Sequence, residues 1–203
     1  MYRVFIFPVL VALGLTGCTN SSFSPTPTPT STPTATTTPI KFSSLQLDDL
    51  IVQPYDLPAG ISGAQISNHE DCNSAAGNKC AEYYIKLDLA YQDKQHGHVQ
   101  IWVYEDSQYV TARYNVESDT FIAECQKTEG QCYPGDPKAV PDLGDSATMI
   151  DVYNYIGADS FYILFARCNA VVRIYIWGVA NDPDGVITYA QHLDKRLTPI
   201  VCR

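Results

Sequence analysis

Six cysteines between residues 72 and 202, four histidines and a set of aromatic side chains hold most of the chemical potential of this chain. Thiolates and imidazoles hold zinc when they recur at short spacing, as C-x-x-C or C-x-x-H, and neither spacing occurs. His96-Gly97-His98 offers two imidazoles to a metal, with His69 as a third, but a polar hairpin turn accounts for the same residues. No metal and no cofactor is expected. Trp102, Tyr104, Tyr153, Tyr155, Tyr175 and Trp177 all fall on strand-like segments, and alternation can bring several of them beside Arg173. Flat rings with polar tips suit stacking on a glycan or contact with a peptide, and they suit a core boundary equally. The expectation is a covered Trp177 and a partly exposed Trp102.

Catalytic patterns fail on inspection. Gly144-Asp145-Ser146 resembles the nucleophile block of the GDSL hydrolases, yet Ala147 stands where that family has Leu. Tyr189 stands three residues before His192, where the family needs Asp. Neither G-x-S-x-G nor H-E-x-x-H is present. Asp182-x-Asp184-Gly185 resembles part of a calcium loop, but the implied first and twelfth ligands are Ala180 and Gln191, which carry no carboxylate. A helix cap explains these residues better. No catalytic residue is assigned, and a hydrolase is the least favoured reading.

Location is written more clearly. Arg3 precedes an apolar run from Val4 to Leu15, shorter than the roughly 20 residues of a membrane-spanning helix. The run closes on Leu15-Thr16-Gly17-Cys18, which resembles the lipobox of bacterial lipoproteins. That resemblance implies cleavage before Cys18, a diacylglyceryl thioether on its sulfur, and attachment to the extracytoplasmic face of the cell membrane. Residues 1–17 are thus a signal peptide. They hold Arg3 and no acid, so their loss makes the formal charge of -9 one unit more negative. Nucleic acid is excluded as a partner, because phosphate binding needs clustered Lys and Arg. An acidic surface also leaves membrane lipid to the acyl chains of Cys18 alone.

Residues 18–41 read as the lipidated cysteine and a Thr/Pro/Ser-rich tether with too few apolar residues, Phe23 and Ile40 among them, to build a core. At ~3.1 Å per residue, the 21 residues from Thr19 to Pro39 reach about 65 Å. Residues 42–203 then suit one domain. An even number of cysteines in an exported domain reads as three disulfides. Fifteen connectivities exist, and spacing favours Cys72 with Cys80 and Cys125 with Cys132, each around a short Gly-containing loop, leaving Cys168 for Cys202.

The elements that must position these residues are mostly strands. Tyr83, Ile85, Leu87, Leu89 and Tyr91 alternate with polar residues, and a polar turn leads to Val99, Ile101 and Val103. Asp106 or Ser107 can cap a helix with the stripe Val110, Tyr114, Phe121 and Cys125. Strands follow over 147–156, 160–168 and 171–177, with Asn169-Ala170 as a two-residue turn that puts Phe165 opposite Ile174 and Tyr162 opposite Trp177. Asp182 and Pro183 start a helix buried through Val186, Ile187, Ala190, Leu193 and Leu197, which Pro199 stops. With an added strand near 61–66, the expected fold is α+β: an antiparallel sheet of five or six strands, two helices on one face, and three disulfides. The other face is expected to be covered by residues 42–69 or to bind something.

Leu47-Asp48-Asp49-Leu50, Asp56-Leu57-Pro58-Ala59-Gly60 and Leu143-Gly144-Asp145, placed before a hairpin and a closing amphipathic helix, resemble a loose group of exported bacterial domains. The group includes lipoproteins of unknown function and the extracellular sensor domains of mycobacterial Ser/Thr kinases. The resemblance implies an antiparallel sheet with a ligand groove and brings no catalytic residue. The functional expectation is a non-catalytic lipoprotein that binds an extracytoplasmic protein, glycan or small ligand, with a structural envelope role as the alternative.

Overall fold

The computed structural model describes residues 56–73, 79–89, 95–127, 132–153, 159–177 and 182–202. The lipobox, the tether, Leu47–Leu50 and Tyr155 lie outside them. Eight strands form an antiparallel sheet: β1 (Ile61–Asn73), β2 (Lys79–Leu89), β3 (Gln95–Tyr104), β4 (Tyr133–Pro134), β5 (Lys138–Ala139), β6 (Ser146–Tyr153), β7 (Asp159–Arg167) and β8 (Ala170–Trp177). Their spatial order is β1-β2-β3-β8-β7-β6-β4, with β5 also on β6. The count exceeds the expected five or six because β4 and β5 are two-residue strands in the Pro-rich segment, too short to leave a periodic signal.

The two helices are α1 (Gln108–Lys127) and α2 (Pro183–Val201), and they do not share a face. Tyr83, Ile85, Val99, Ile101, Ile163, Phe165, Ile174 and Ile176 meet Val186, Tyr189, Leu193 and Leu197 of α2 on the first face. Trp102, Tyr104, Tyr162, Leu164 and Val171 meet Val110, Phe121 and Cys125 of α1 on the second. This corrects the expectation of two helices on one face. The cause is visible in β7, where Phe161 to Ala166 are all buried: a strand apolar on both sides needs a covering layer on each. The second face is therefore covered in part by α1, where the sequence led one to expect either residues 42–69 or an open binding surface; residues 42–55 lie outside the described residues.

Asp106 starts α1 by accepting the Gln108 N–H at 2.9 Å. Asp182 starts α2 by accepting the Gly185 N–H at 2.9 Å, with Pro183 just inside, so the cap reading of Asp182-x-Asp184-Gly185 holds. Pro199 does not stop the helix, which continues to Val201. Proline removes one backbone donor, and so close to the end the turn still closes through the Cys202 N–H on the Thr198 carbonyl at 3.0 Å.

The β7–β8 hairpin turns at Cys168-Asn169, with Cys168 at φ 47°. Arg167 pairs with Ala170, Ile163 with Ile174, and Tyr162 with Tyr175, a register two residues away from the expected one. A two-residue slip leaves every side chain on its face. The tip is set by outside partners. Asp145 Oδ2 accepts the Cys168 N–H at 2.7 Å, and Asn169 donates to the Tyr104 and Glu105 carbonyls at 3.2 and 3.3 Å. The disulfides pair as the spacing favoured: Cys72–Cys80, Cys125–Cys132 and Cys168–Cys202, with Cα separations of 4.9, 5.0 and 5.2 Å.

Candidate ligand-binding cleft

Strand alternation places Trp102 and Tyr104 of β3 and Arg173, Tyr175 and Trp177 of β8 on the α1 face, as the sequence suggested. Tyr153 is not with them. Its β6 neighbours Ile150 and Val152 face α1, so Tyr153 faces the other way, half exposed, beside a cleft of about 480 Å³ that also holds the Lys138–Asp151 ion pair.

Burial divides the remaining set. Trp102 is 2% exposed and Tyr104 4%, while Tyr175 and Trp177 are half-buried, the reverse of the expectation for the two tryptophans. The cause is a charged layer between helix and sheet. Glu117, 5% exposed on α1, holds Arg173 Nη1 through Oε2 at 2.7 Å and Arg113 Nη2 through Oε1 at 2.8 Å. The Arg113 guanidinium stands 4.0 Å above the Trp102 ring and that of Arg173 stands 5.4 Å from it. Arg173 Nη2 also donates to Gln100, whose amide donates to Glu82 at 3.0 Å. The two cations share one ring and one buried carboxylate, which offsets one of their two charges, and the face of the Trp102 ring attracts both.

Beyond Trp102, on the same face, the rings form a continuous strip. Tyr84 of β2 stacks on His98 of β3 at 5.2 Å, and His98 meets Tyr175 at 5.8 Å and Trp177 at 6.4 Å. Tyr175 approaches Phe121 of α1 at 6.1 Å, and Phe121 stacks on Tyr162 at 3.7 Å. Where the strip passes under α1 it opens into a cleft of about 340 Å³ lined by His98, Phe121, Glu124, Tyr162, Arg173 and Tyr175, with the Cys125–Cys132 bridge at its rim. Burial, aided by the Arg173 charge, lowers the His98 pKa from 6.5 to about 4. Burial raises the Tyr175 and Tyr162 phenols, a Ser160 hydrogen bond opposing at the first and the Arg173 charge at the second. The buried Tyr162 phenol donates to the Glu117 carbonyl at 3.3 Å, so at neutral pH the uncharged polar groups left to the cleft are the His98 imidazole and the Tyr175 phenol.

The other candidates are committed elsewhere. Asp145 binds Arg167 Nη1 at 3.0 Å as well as the Cys168 N–H, and buried Asp194 of α2 binds Arg167 Nε at 2.8 Å and the Gly144 N–H at 3.1 Å. Leu143-Gly144-Asp145 is therefore a tie between the hairpin and α2. His192 Nδ1 lies 3.1 Å from Asp56, and Ser146 makes no hydrogen bond to a histidine among the described residues. His69 stacks on Tyr83 of the α2 face at 4.6 Å, away from His98, so the two cannot share a metal. The His96 side chain lies outside the described residues.

Sequence reasoning missed Tyr84, Phe121, Tyr162 and Glu117 as parts of one site. The signal was Arg173 itself, a lone charge in the apolar run Val171-Val172-Arg173-Ile174-Tyr175-Ile176-Trp177, which demanded a buried partner. Comparison with protein-family models, curated proteins and solved structures found no match to this chain.

Proposed function

We propose that the chain is a membrane-anchored extracytoplasmic lipoprotein, held by acylated Cys18, whose domain is a non-catalytic module that takes an extracytoplasmic ligand in the α1 cleft. The observation that carries this reading is the cleft itself: half-buried rings of His98, Tyr175 and Phe121 over buried Tyr162, with Arg173 and Glu124 in the same lining. Its volume of about 340 Å³ falls within the range of small-ligand sites. A purely structural envelope protein has no need of partly solvated rings beside a buried ion network. The commitment of Asp145, Asp194 and Asp56 to structural ion pairs supports binding over hydrolysis.

The chain has two tryptophans, so Trp102→Phe leaves Trp177 as the only emitter. Iodide is expected to quench that emission strongly, and to leave the emission of Trp102 in a Trp177→Phe variant nearly untouched. A Trp177 as protected as Trp102 would mean a closed face and would remove the binding reading.

A further inference from the structure

We propose that the cleft and its aromatic strip bind an uncharged saccharide ring, an assignment that rests on reading the cleft as a binding site. Recognition of an anion requires a guanidinium free to present its fork. Arg173 spends one Nη on Glu117 and the other on Gln100, and Arg113 is held by the same carboxylate; the Nε of each is unpaired but buried, so neither presents an open two-nitrogen fork. Lys86, paired with His98 across β2 and β3, and Glu124 on α1 bring one charge of each sign to opposite sides of the strip.

Recognition of a quaternary ammonium requires rings set apart around a void. His98, Tyr175 and Trp177 instead lie 5.5–6.4 Å apart and are tilted by 39–67° to one another, packed edge to face within the contact range of aromatic pairs, which leaves no ring-sized hollow between them. What remains on offer is the faces of single half-buried rings, edged by a neutral imidazole and the Tyr175 phenol. A pyranose matches that combination. Its C–H face stacks on a ring while its hydroxyl or acetamido groups exchange hydrogen bonds with the polar tips. Tyr84, His98 and Tyr175 continue the rings across β2, β3 and β8, so the ligand can extend beyond one ring along the strip.

The test titrates the intact chain, with ¹⁵N-labelled tryptophan, against three probes: triacetylchitotriose, trigalacturonate and choline. The neutral trisaccharide is expected to shift the Trp177 indole resonance saturably and to leave that of Trp102 in place. Tyr175→Ala is expected to weaken this binding by about tenfold. Because Tyr175 touches Phe121, Tyr84→Ser at the far end of the strip, away from α1, serves as a second variant and is expected to weaken the same binding with a smaller fall in melting temperature than Tyr175→Ala. Preference for trigalacturonate or choline at Trp177 would overturn the saccharide assignment and leave the cleft as a binding site. Silence from all three probes, with Trp177 open to iodide, would overturn the assignment as well; only a Trp177 shielded from iodide removes the cleft reading.

Discussion

Arg173 organises the candidate site from inside an otherwise apolar strand. Its charge was legible in the sequence, but its partner was not, because Glu117 stands 56 residues away on a helix whose polar face reads as solvated. Alternation could place Trp102 and Trp177 on one face and could not say which end α1 would cover. The consequences separate by variant. Trp102→Ala is expected to lower stability by ~3–5 kcal/mol, as removal of a large buried aromatic does, and Trp177→Ala by clearly less. Chemical denaturation of the two variants measures this, and equal losses would contradict the burial described. His98 adds a pH dependence. Its folded pKa of about 4 lies below the 6.5 of the free side chain, so acid protonates the unfolded chain first. The stability tied to neutral His98 is complete above pH 6.5 and is lost as pH falls toward 4. His98→Gln should flatten the slope of stability against pH in that window, and an unchanged slope would assign the effect elsewhere.

Among the elements, the long strands and both helices were legible because each carries a sustained period. Their ends and pairing were less so. Pro199 looked like a stop and is absorbed in the last turn of α2, and the β7–β8 register is set by Asp145 and Asn169 contacts that no local pattern encodes. Gly144 shows how tightly this corner is built. It sits at φ +61°, and a Cβ there would meet the Ala166 carbonyl at 2.4 Å. Gly144→Ala is expected to lower stability by at least ~1–2 kcal/mol, from the left-handed backbone alone. A thermal melt would read it as a fall in melting temperature, and wild-type stability would mean the loop relaxes freely.

At the scale of the whole molecule, the sequence made its sharpest expectation about location, through Leu15-Thr16-Gly17-Cys18, which lies outside the described residues, and said least about the arrangement of layers. Counting helices does not say on which side of a sheet each one lands, and only the two-sided apolarity of β7 required one helix on each. The proposed anchor makes its own prediction. Cys18→Ala should move the protein from the membrane fraction to the soluble extracytoplasmic fraction with its folded domain unchanged, and membrane retention of that variant would refute lipidation at Cys18.

Those two layers of cover arrive at different times. In the chain α1 precedes the β7–β8 hairpin and α2 follows it, so a partly folded molecule can shield one side of Phe161–Ala166 while the other waits for the last helix. A six-residue apolar segment without charge or proline is an aggregation hazard while it is bare. The interval before α2 docks is therefore when this segment is most exposed to aggregation, and on the proposed export route that interval falls outside the cytoplasm. The Cys168–Cys202 bridge, which joins the hairpin tip to the end of α2, closes that interval by making undocking of the helix incomplete.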